Sequence, residues 1–293
     1  MERIALRQSL PFILMHACCV LVFWCGSSPA AIWMCVILYV VRMFGITAGF
    51  HRYLAHASFK TSRWFQFVLI WIGTASVQKG PLWWAGHHRH HHAHSDTDDD
   101  IHSPVKQDFW WSHMGWFLCT KYDETPWRLI PQFAKFPELR WLNRYHAVPG
   151  TVLALTLLLG GNWLAMHRPE LGTNGFQLLV WGFFVSTVLL YHGTFTVNSL
   201  AHVYGSRRYA TKDDSRNNWF IALITLGEGW HNNHHFAPSS ERQGFFWWEI
   251  DVAHYGLVLL SWFGIVWDLK KPPIRAYADR TTTPASESTS AGH

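Results

Sequence analysis

Four long apolar stretches constrain the fold of this chain more than any other feature of its sequence. A membrane span needs roughly 20 mostly apolar residues, and a backbone in lipid must satisfy its own hydrogen bonds, which favours helices. The candidate spans are residues 10–26, 30–50, 148–166 and 175–199. Only 15% of the 293 residues are charged, compared with roughly 25% in typical soluble domains. The sequence therefore predicts an all-α integral membrane protein with four transmembrane helices.

The remaining segments predict a helical cap on one side of the membrane. Stretches 64–78, 217–229 and 255–267 are shorter or more polar than a span and indicate interfacial or packed helices. The Ser/Thr-rich end of the chain has too few apolar residues to order itself. We therefore expect one membrane domain over residues 1–275 and a disordered tail over residues 276–293.

The distribution of Lys and Arg predicts the orientation of these spans. The first inter-span turn contains neither residue type, the turn at 167–173 contains only Arg168, and most others lie in 52–147 or after 202. The positive-inside rule then places both termini and the cap in the cytoplasm. We expect Arg42, near the cytoplasmic end of the second span, to extend its long side chain to the surface. The net charge of +5 does not indicate nucleic-acid binding, because no compact basic stripe is present.

Three histidine clusters lie close to these apolar stretches. They occupy residues 51–56 (HRYLAH), 88–92 (HRHHH) and 231–235 (HNNHH). Neutral imidazole is a common protein ligand for Zn, Cu, Fe and Ni. One His-rich tract can bind metal adventitiously, but three such clusters beside membrane spans predict a dedicated metal site.

Helical spacing indicates which side chains can share that site. Residues at i, i+3 and i+4 share a helix face, so the second and third clusters can each direct three rings into one volume, and Asn198 aligns with His202. His51 and His56 are about 140° apart on a regular helix, so either the helix unwinds or their rings approach from different sides. The candidate ligands are His51, His56, His88, His91, His92, His202, His231, His234 and His235.

Nine imidazoles are too many for one metal ion, since zinc sites use about three or four protein ligands. Two metal ions with four or five nitrogen ligands each would use all nine, and Asn198 could add an oxygen, directly or through water. Carboxylates commonly accept the second ring N–H of a ligand histidine, and the candidates are Glu228, Asp96, Asp98, Asp99 and Asp100. The histidines expected to be hydrogen-bonded or solvent-facing instead are His87, His90, His94, His16, His113, His146, His167, His254 and His293.

The three clusters resemble the histidine boxes HxxxxH, HxxHH and HxxHH of membrane fatty-acid desaturases. The phrases ITAGFHRYLAH, SHMGWFL, NSLAH, GEGWHNNHH and WEIDVAHYG are similar to the acyl-CoA Δ9, stearoyl-CoA-like branch of that family. The similarity extends from about residue 30 to residue 273 and thus includes most of the chain.

This resemblance implies an enzyme that uses O₂ and two electrons to insert a cis double bond, at Δ9, into a saturated acyl chain. Its cofactors would be two iron ions bound by the nine histidines, with Asn198 bound through water. Its substrate would be an acyl-CoA or an acyl-lipid. No cytochrome b5 domain is fused to these residues, so we expect a separate donor such as cytochrome b5 or ferredoxin, with its reductase. The membrane would be the cell membrane in a bacterium or the endoplasmic reticulum in a eukaryote.

The chain departs from the acyl-CoA branch at positions that contact CoA. Animal acyl-CoA enzymes carry an Arg-Asp pair just before the second box, where this chain has Gly86-His87. Another Arg-Lys pair of those enzymes is Thr120-Lys121 here. The third box also has Asn233 where Tyr is frequent. The sequence therefore leaves the acyl carrier open between CoA and lipid.

Three residues of the second span are candidates for lining an acyl tunnel. Cys35, Tyr39 and Met43 are spaced i, i+4, i+8 below His51 and share a helix face. Our hypothesis is that one of them, with Tyr39 preferred, closes the tunnel and limits chain length. Ordinary helix packing is the alternative explanation of this spacing.

Two other functions are compatible with histidine clusters in a membrane protein. A di-iron hydroxylase or alkane-type monooxygenase shares the boxes, although NSLAH and the WEIDV segment favour desaturation. A membrane metal transporter would place polar residues deep in several spans. The spans here contain His16, Arg42 and His192 but no continuous polar path, which makes a transporter the weakest of the three.

Overall fold

The computed structural model describes residues 4–278, which are mostly helical. Their α-helices are α1 (Leu6–Cys18), α2 (Val22–Cys25), α3 (Pro29–Phe44), α4 (Arg63–Thr74), α5 (Pro81–His94), α6 (Pro131–Ala134), α7 (Pro137–Arg144), α8 (Ala147–His167), α9 (Gly175–Leu179), α10 (Ser186–Asn198), α11 (Trp219–Ile224), α12 (His231–Phe236), α13 (Val252–Trp262) and α14 (Arg275–Ala278). The π-helical segments are Gly45–Ala55, Trp111–Gly115 and Val180–Val185. The 3₁₀ turns are Cys19–Leu21, Trp116–Leu118, Trp127–Leu129, Pro169–Leu171 and Leu200–His202. Strands β1 (Lys60–Thr61) and β2 (Val266–Trp267) pair antiparallel, with Lys60 opposite Trp267.

Three continuous helices of the described residues are long and apolar enough to cross a membrane. They are Pro29–Ala55, Ala147–His167 and Gly175–His202, and they correspond to three of the four predicted spans. The first predicted span, 10–26, is a 17-residue apolar helix, Ser9–Cys25, which is shorter than a typical span. This helix contains the 3₁₀ turn Cys19–Leu21 and ends at Gly26, which has a φ of 64°. A fourth span therefore stays a prediction.

Arg42 does not extend to the surface, and the expectation that it would was wrong. The residue is only 2% exposed. Its guanidinium donates hydrogen bonds to the hydroxyls of Ser186 and Thr187 on α10 and to the carbonyl oxygens of Leu38 and Ala75. An unpaired cation in an apolar environment is costly, and these acceptors use its N–H groups inside the helix bundle. Arg42 thus connects the second predicted span to the fourth.

A close helix contact fixes the end of the long helix Pro29–Ala55. A Cβ atom added at Gly45 would lie 2.5 Å from the backbone nitrogen of Gly73 on α4, so only glycine fits this crossing. Beyond it, Phe50 and Leu54 are fully buried in a core cluster with Ile70 and other residues of α4 and α5. The crossing and this core hold residues 51–56 against α5.

Ordered structure extends three residues past residue 275, the predicted end of the membrane domain. Arg275–Ala278 form α14, and Ala276 is fully buried in a cluster with Tyr209 and Phe246. The rest of the predicted disordered tail lies outside the described residues.

Candidate metal centre

A π-helix places His51 and His56 on the same side of the chain. The segment Gly45–Ala55 is π-helical, and the backbone N–H of His56 donates to the carbonyl oxygen of His51 at 3.1 Å. This i→i+5 bond defines the wider π turn, which brings residues five apart almost into register. The two ring centroids are 4.8 Å apart. The helix therefore widens at this point, which resolves the alternatives that the sequence left open.

The triplets on α5 and α12 do not each direct three rings into one volume, as the spacing suggested. On α5, His88 and His92 point to one group of side chains while His91 points to another. On α12, His234 joins the first group, whereas His231 and His235 join the second. The i, i+4 pairs stay together because they are about 40° apart around the helix, whereas His91 is about 100° from His92.

All nine histidines singled out from the sequence fall into these two groups. We name them the five-His group and the four-His group. The five-His group contains His51, His56, His88, His92 and His234. The four-His group contains His91, His202, His231 and His235. Within each group, one ring nitrogen from every residue lies within 4.8 Å of all the others.

Carboxylates accept the second ring N–H of histidines in both groups. Glu228 pairs with Nδ1 of His51 in the five-His group. In the four-His group, the N–O distances are 3.0 Å for His91–Asp100, 2.8 Å for His202–Asp96 and 2.6 Å for His235–Asp213. Three of these carboxylates were candidates from the sequence, but Asp213 was missed because it lies in a loop with no helical spacing to His235. Asp98 does not contact a ring and pairs with Lys106 instead.

The hydrogen bonds leave lone pairs directed toward the centre of each group. A neutral histidine that donates through Nδ1 has a bare Nε2, and Nε2 of His202 lies 3.0 Å from Nε2 of His231. In the five-His group, Nε2 of His234 lies 2.9 Å from Nε2 of His92. Nε2 of His235 is buried, with no hydrogen-bond partner among the described residues. Ring nitrogens that converge at these distances fit a bound cation, so the residues present suit a metal ion in each group.

Burial also favours the neutral rings that metal binding requires. It lowers the pKa of five of these histidines well below the ordinary value, and neighbouring histidines add to the shift; they are His56, His88, His92, His231 and His234. Burial raises the pKa of Asp96, but the hydrogen bond from His202 and other groups outweighs it and holds the pKa at about 2. Neutral imidazoles beside ionised carboxylates are the protonation states of a metal-ligand set.

Arg52 organises the carboxylates behind the five-His group. Its side chain is only 1% exposed and lies 2.9 Å from Asp251 and 3.4 Å from Glu228. It also donates to the carbonyl oxygen of Glu241 at 2.8 Å. Glu228 is thus held between a buried cation and the ring of His51. Buried charges of this kind are tolerated only when they are paired.

Two cavities adjoin the five-His group. The larger has a volume of about 380 Å³ and the smaller about 30 Å³. His88 and Asn198 line both cavities, together with Trp84 and Thr194. Asn198 therefore lies next to the five-His group, although it is not a member of either group. Among the described residues, none of the four-His group lines either cavity.

The three tunnel candidates lie in different surroundings. Met43 lines the smaller cavity, together with His51 and other residues. Cys35 is buried and Tyr39 donates its hydroxyl to the carbonyl oxygen of Ile224 at 2.6 Å. Neither is among the described residues that line the two cavities. Of the three, only Met43 is placed to limit the space beside the five-His group.

The histidines expected to stand apart from the metal ligands do so among the described residues. His87 contacts the carbonyl oxygen of Glu124, and His90 contacts that of Asp99. His254 contacts Glu241. The other described members have backbone, serine or histidine partners or line the larger cavity, and they are His94, His16, His167, His113 and His146. His293 lies outside the described residues.

His102 is a buried residue that was not predicted from the sequence to lie near the metal ligands. Its ring stacks on His91 at 4.3 Å between centroids, and it forms a third possible metal-binding group with His91 and Asp100. Both of those residues already take part in the four-His group, where Asp100 orients His91. We therefore regard His102 as packing against a ligand.

Comparison with known proteins gives one consistent family. The sequence model of the family described as fatty acid desaturase matches residues 27–266. The chain is 38% identical over 246 residues to the sn-1 stearoyl-lipid 9-desaturase of Anabaena variabilis, which is 83% of this chain and 85% of that relative. It is 35% identical over 274 residues to Delta-9 acyl-lipid desaturase 1 of Arabidopsis thaliana, or 92% and 85% of the two chains.

A further relative carries a different acyl carrier in its name. The acyl-CoA C20 Delta5-desaturase of Anemone leveillei is 37% identical over 254 residues, which is 84% of this chain and 75% of that relative. Similar proteins are therefore named for both acyl-lipid and acyl-CoA substrates.

Proposed function

Because this chain belongs to the fatty acid desaturase family, we propose that it inserts a cis double bond at the Δ9 position of a saturated acyl chain. O₂ is the oxidant, and a separate donor protein supplies two electrons. The observation that carries this proposal is the pair of adjoining histidine groups, of which the five-His group borders an apolar cavity. A saturated methylene has no acidic proton, so acid–base side chains cannot attack it and cofactor chemistry is required.

The two groups would hold two iron ions, one in each, with Asn198 bound through water to the ion of the five-His group. When bound, the ions supply the O₂ activation that removes hydrogens from an unactivated carbon chain. Imidazole accepts several metals, so the choice of iron rests on the family. The carboxylates of Glu228, Asp96, Asp100 and Asp213 fix which ring nitrogen faces the metal.

The larger cavity is the proposed binding site for the acyl chain. Its walls include Trp83, Phe117 and Phe195, which are apolar, and it reaches His88. Apolar walls exclude water from the reacting carbons and match a hydrocarbon substrate. The double-bond position is then set by how far the chain enters before its carrier stops at the cavity mouth.

We infer that the acyl carrier is a membrane lipid. Lys79 is the one Lys or Arg among the described residues that line the larger cavity, and it pairs with Asp123 at 2.9 Å. A Cβ atom at Gly86 would lie 2.6 Å from Pro126, so an arginine has no space where the acyl-CoA enzymes carry one. CoA bears several phosphate charges that are usually bound by Arg and Lys. The described residues that line this cavity therefore provide few cations to bind those phosphates.

The methyl end of the acyl chain is proposed to enter the smaller cavity. Met43 lines that cavity, so we propose that Met43, and not Tyr39, limits the length of the acyl chain. Tyr39 and Met43 both pack against Gly193, because a Cβ atom there would lie 2.8 Å from the Tyr39 hydroxyl and 3.1 Å from the Met43 methyl. Cys35 lies farther along the same helix.

The proposed location is a cellular membrane, with both termini and the two histidine groups on the cytoplasmic side. Three helices that are long and apolar enough to span support membrane insertion. Both termini lie on one side if the predicted fourth span also crosses, and the cytoplasmic orientation follows from the Lys and Arg distribution. A cytoplasmic site is accessible to a soluble electron donor such as a ferredoxin or cytochrome b5 with its reductase.

The decisive experiment is expression in a host that lacks its own desaturase, followed by lipid analysis. Gas chromatography with double-bond location should detect Δ9 alkenes in glycerolipids. His88→Ala should abolish the product, whereas His90→Ala, a neighbouring histidine outside both groups, should retain it. Hydroxylated acyl chains without an alkene would show a monooxygenase instead.

A second arm of the experiment tests the carrier. The purified protein is supplied with an electron donor and either stearoyl-CoA or a distearoyl glycerolipid in vesicles. Product from the glycerolipid alone supports our inference, and efficient turnover of stearoyl-CoA contradicts it.

A further inference from the structure

The proposed reaction consumes electrons, and their donor must reach the metal groups by a route other than the larger cavity, which is assigned to the acyl chain. The overall change is the loss of two hydrogens from the chain with O₂, two electrons and two protons, which gives one alkene and two waters. Electrons pass between proteins only over short distances, so a donor must dock where a metal group lies near the surface. The inference that follows rests on the proposed function.

The four-His group lies directly beneath a surface loop, residues 203–218. Asp213 of this loop pairs with His235 at 2.6 Å, and the backbone N–H of Asp214 donates to Asp96 at 2.8 Å. The side chains of His235 and Asp213 are 2% and 10% exposed. One hydrogen bond therefore separates the surface from a ring of the four-His group.

The surface above this bond carries exposed cations. Arg207 donates to the carbonyl oxygen of Asp213 at 2.6 Å while 36% of its side chain is exposed. Lys212 is exposed and is the immediate neighbour of Asp213 in the chain. Arg275 is exposed and lies 5.0 Å from the ring centroid of Phe236, the residue after His235. Three cations thus lie around this bond, and one of them, Arg207, also pairs with Asp214 at 3.2 Å.

A cluster of aromatic side chains packs beneath this surface. Phe236 stacks on Tyr209 with ring centroids 4.0 Å apart, and Tyr209 shares a buried cluster with Phe246. Arg208 lies 4.5 Å from the ring centroid of Phe246 and pairs with the buried Glu249. Arg208 and Arg275 thus lie against packed aromatic residues.

We propose that the surface of Arg207, Lys212 and Arg275 binds a small acidic protein that carries one electron at a time. Each docking event would deliver one electron through Asp213 and His235 to the four-His group, so two events serve each double bond. Charge complementarity favours an acidic partner and accelerates its association. Interfaces of electron carriers are small and transient, which suits a patch of a few cations.

The rest of the site supports this choice of surface. The five-His group faces the two cavities, the larger of which is assigned to the acyl chain, and the buried carboxylates around Arg52, which leaves the side of the four-His group for a protein partner. Asp214 contacts the turn that carries the exposed Asp98 and Asp99, and these acidic side chains mark the edge of the cationic surface. An acidic carrier would therefore be steered toward the cations and away from this turn.

The test uses the purified, iron-loaded protein in detergent, with two probes, a plant-type ferredoxin and the soluble domain of a cytochrome b5. Binding of each probe is measured at low and high ionic strength for the wild type and for Lys212→Glu/Arg275→Glu. The matched control is Lys135→Glu/Arg144→Glu, which reverses two exposed cations on or beside α6 and α7. Iron content is measured for every variant to show that the metal groups are intact.

We expect the wild type to bind one of these carriers, with an affinity that falls as salt rises. The Lys212/Arg275 variant should bind at least about tenfold more weakly, with its iron content unchanged, and the control variant should match the wild type. Equal weakening in both variants would show a general charge effect and overturn the surface. Binding of neither carrier, or variant-sensitive binding only to vesicles with anionic lipid, would overturn the proposed partner.

The proposed function is assessed separately by alkene formation in cells. If alkene is produced but Lys212→Glu/Arg275→Glu binds the carrier as tightly as the wild type, this surface is rejected and the desaturase assignment stands. Absence of alkene in every condition rejects the desaturase assignment itself.

Discussion

The five-His group and the four-His group use the same type of ligand in different surroundings. The five-His group borders both cavities, and one of its rings is paired with a carboxylate, Glu228. The four-His group borders neither cavity among the described residues, and three of its four rings are paired with aspartates. One group therefore faces the cavities proposed for an apolar substrate, and the other is surrounded by aspartates.

The difference shows how similar histidine motifs acquire separate tasks. Each of α5 and α12 contributes to both groups, so the helices alone do not distinguish them. The distinction arises from what lies behind the rings: apolar walls and Arg52 on one side, and the loop at residues 203–218 on the other. The following predictions test whether the two groups are separable in this way, from the largest expected effect to the smallest.

The largest effect is expected from removing one ring of either group. His234→Ala affects the five-His group and His235→Ala the four-His group, although the residues are neighbours on α12. Each variant should lose detectable desaturation and retain about half of the bound metal, because the other group keeps all of its rings. Metal analysis of the purified variants tests this, with His90→Ala as the control. Loss of all metal from both variants would show that the groups are not separable.

A large loss of stability is expected from Arg52→Leu, behind the five-His group. The substitution leaves Glu228, Glu241 and Asp251 buried without their cation, and breaking such a buried pair costs about 3–5 kcal/mol. Thermal unfolding of the detergent-solubilised protein measures the change. Arg63→Leu, which breaks an exposed pair with Glu138, should leave the unfolding temperature nearly unchanged. A similar shift in both variants would contradict the role of Arg52.

A moderate effect is expected from Asp213→Asn, which weakens the support of His235. Loss of such a carboxylate typically lowers metal affinity about 10–100-fold, and only the four-His group should be affected. Titration with a chelator should therefore remove one of the two metal ions earlier than in the wild type. Asp98→Asn, which pairs only with Lys106 at the surface, is the control. Early release of both ions would indicate that the groups are coupled.

The smallest effect is expected from Met43→Trp in the smaller cavity beside the five-His group. Filling this space should disfavour longer acyl chains, by about tenfold for each methylene that no longer fits. The chain-length profile of the unsaturated lipids measures the shift toward shorter products. Val40→Trp on the lipid-exposed side of the same helix should leave the profile unchanged. An unaltered profile in Met43→Trp would place the end of the acyl chain elsewhere.

Much of the architecture could be predicted from the sequence because it depends on local patterns and not on contacts between distant segments. Three of the predicted spans are helices of the expected length, since apolar runs of that size have few other ways to satisfy their backbone in lipid. Seven of the nine histidines were selected by helical spacing, and His51 and His56 by their place in the first cluster; all nine fall into the two groups. Glu228, Asp96 and Asp100 were found by their position in the chain close to histidines of the same segments.

Other features depend on contacts between distant segments and were misjudged or missed. Arg42 was expected at the surface, but Ser186 and Thr187, more than 140 residues away, bind it inside the bundle. Asp213 lies 22 residues before His235 in a loop, where no periodicity identifies a partner. His102 packs on His91, which is likewise a consequence of how the loop after α5 folds back.

The sequence by itself determined the class of this protein: a helical membrane protein with nine histidines whose spacing suits two metal ions. Periodicity conveys that information because it depends only on the geometry of a single helix. The tertiary structure alone decided how the nine rings divide into five and four. It also widened the helix at His51 and His56, and it placed one group beside a cavity and the other beneath a loop. Those choices depend on packing between segments that are far apart in the chain, which no local pattern encodes.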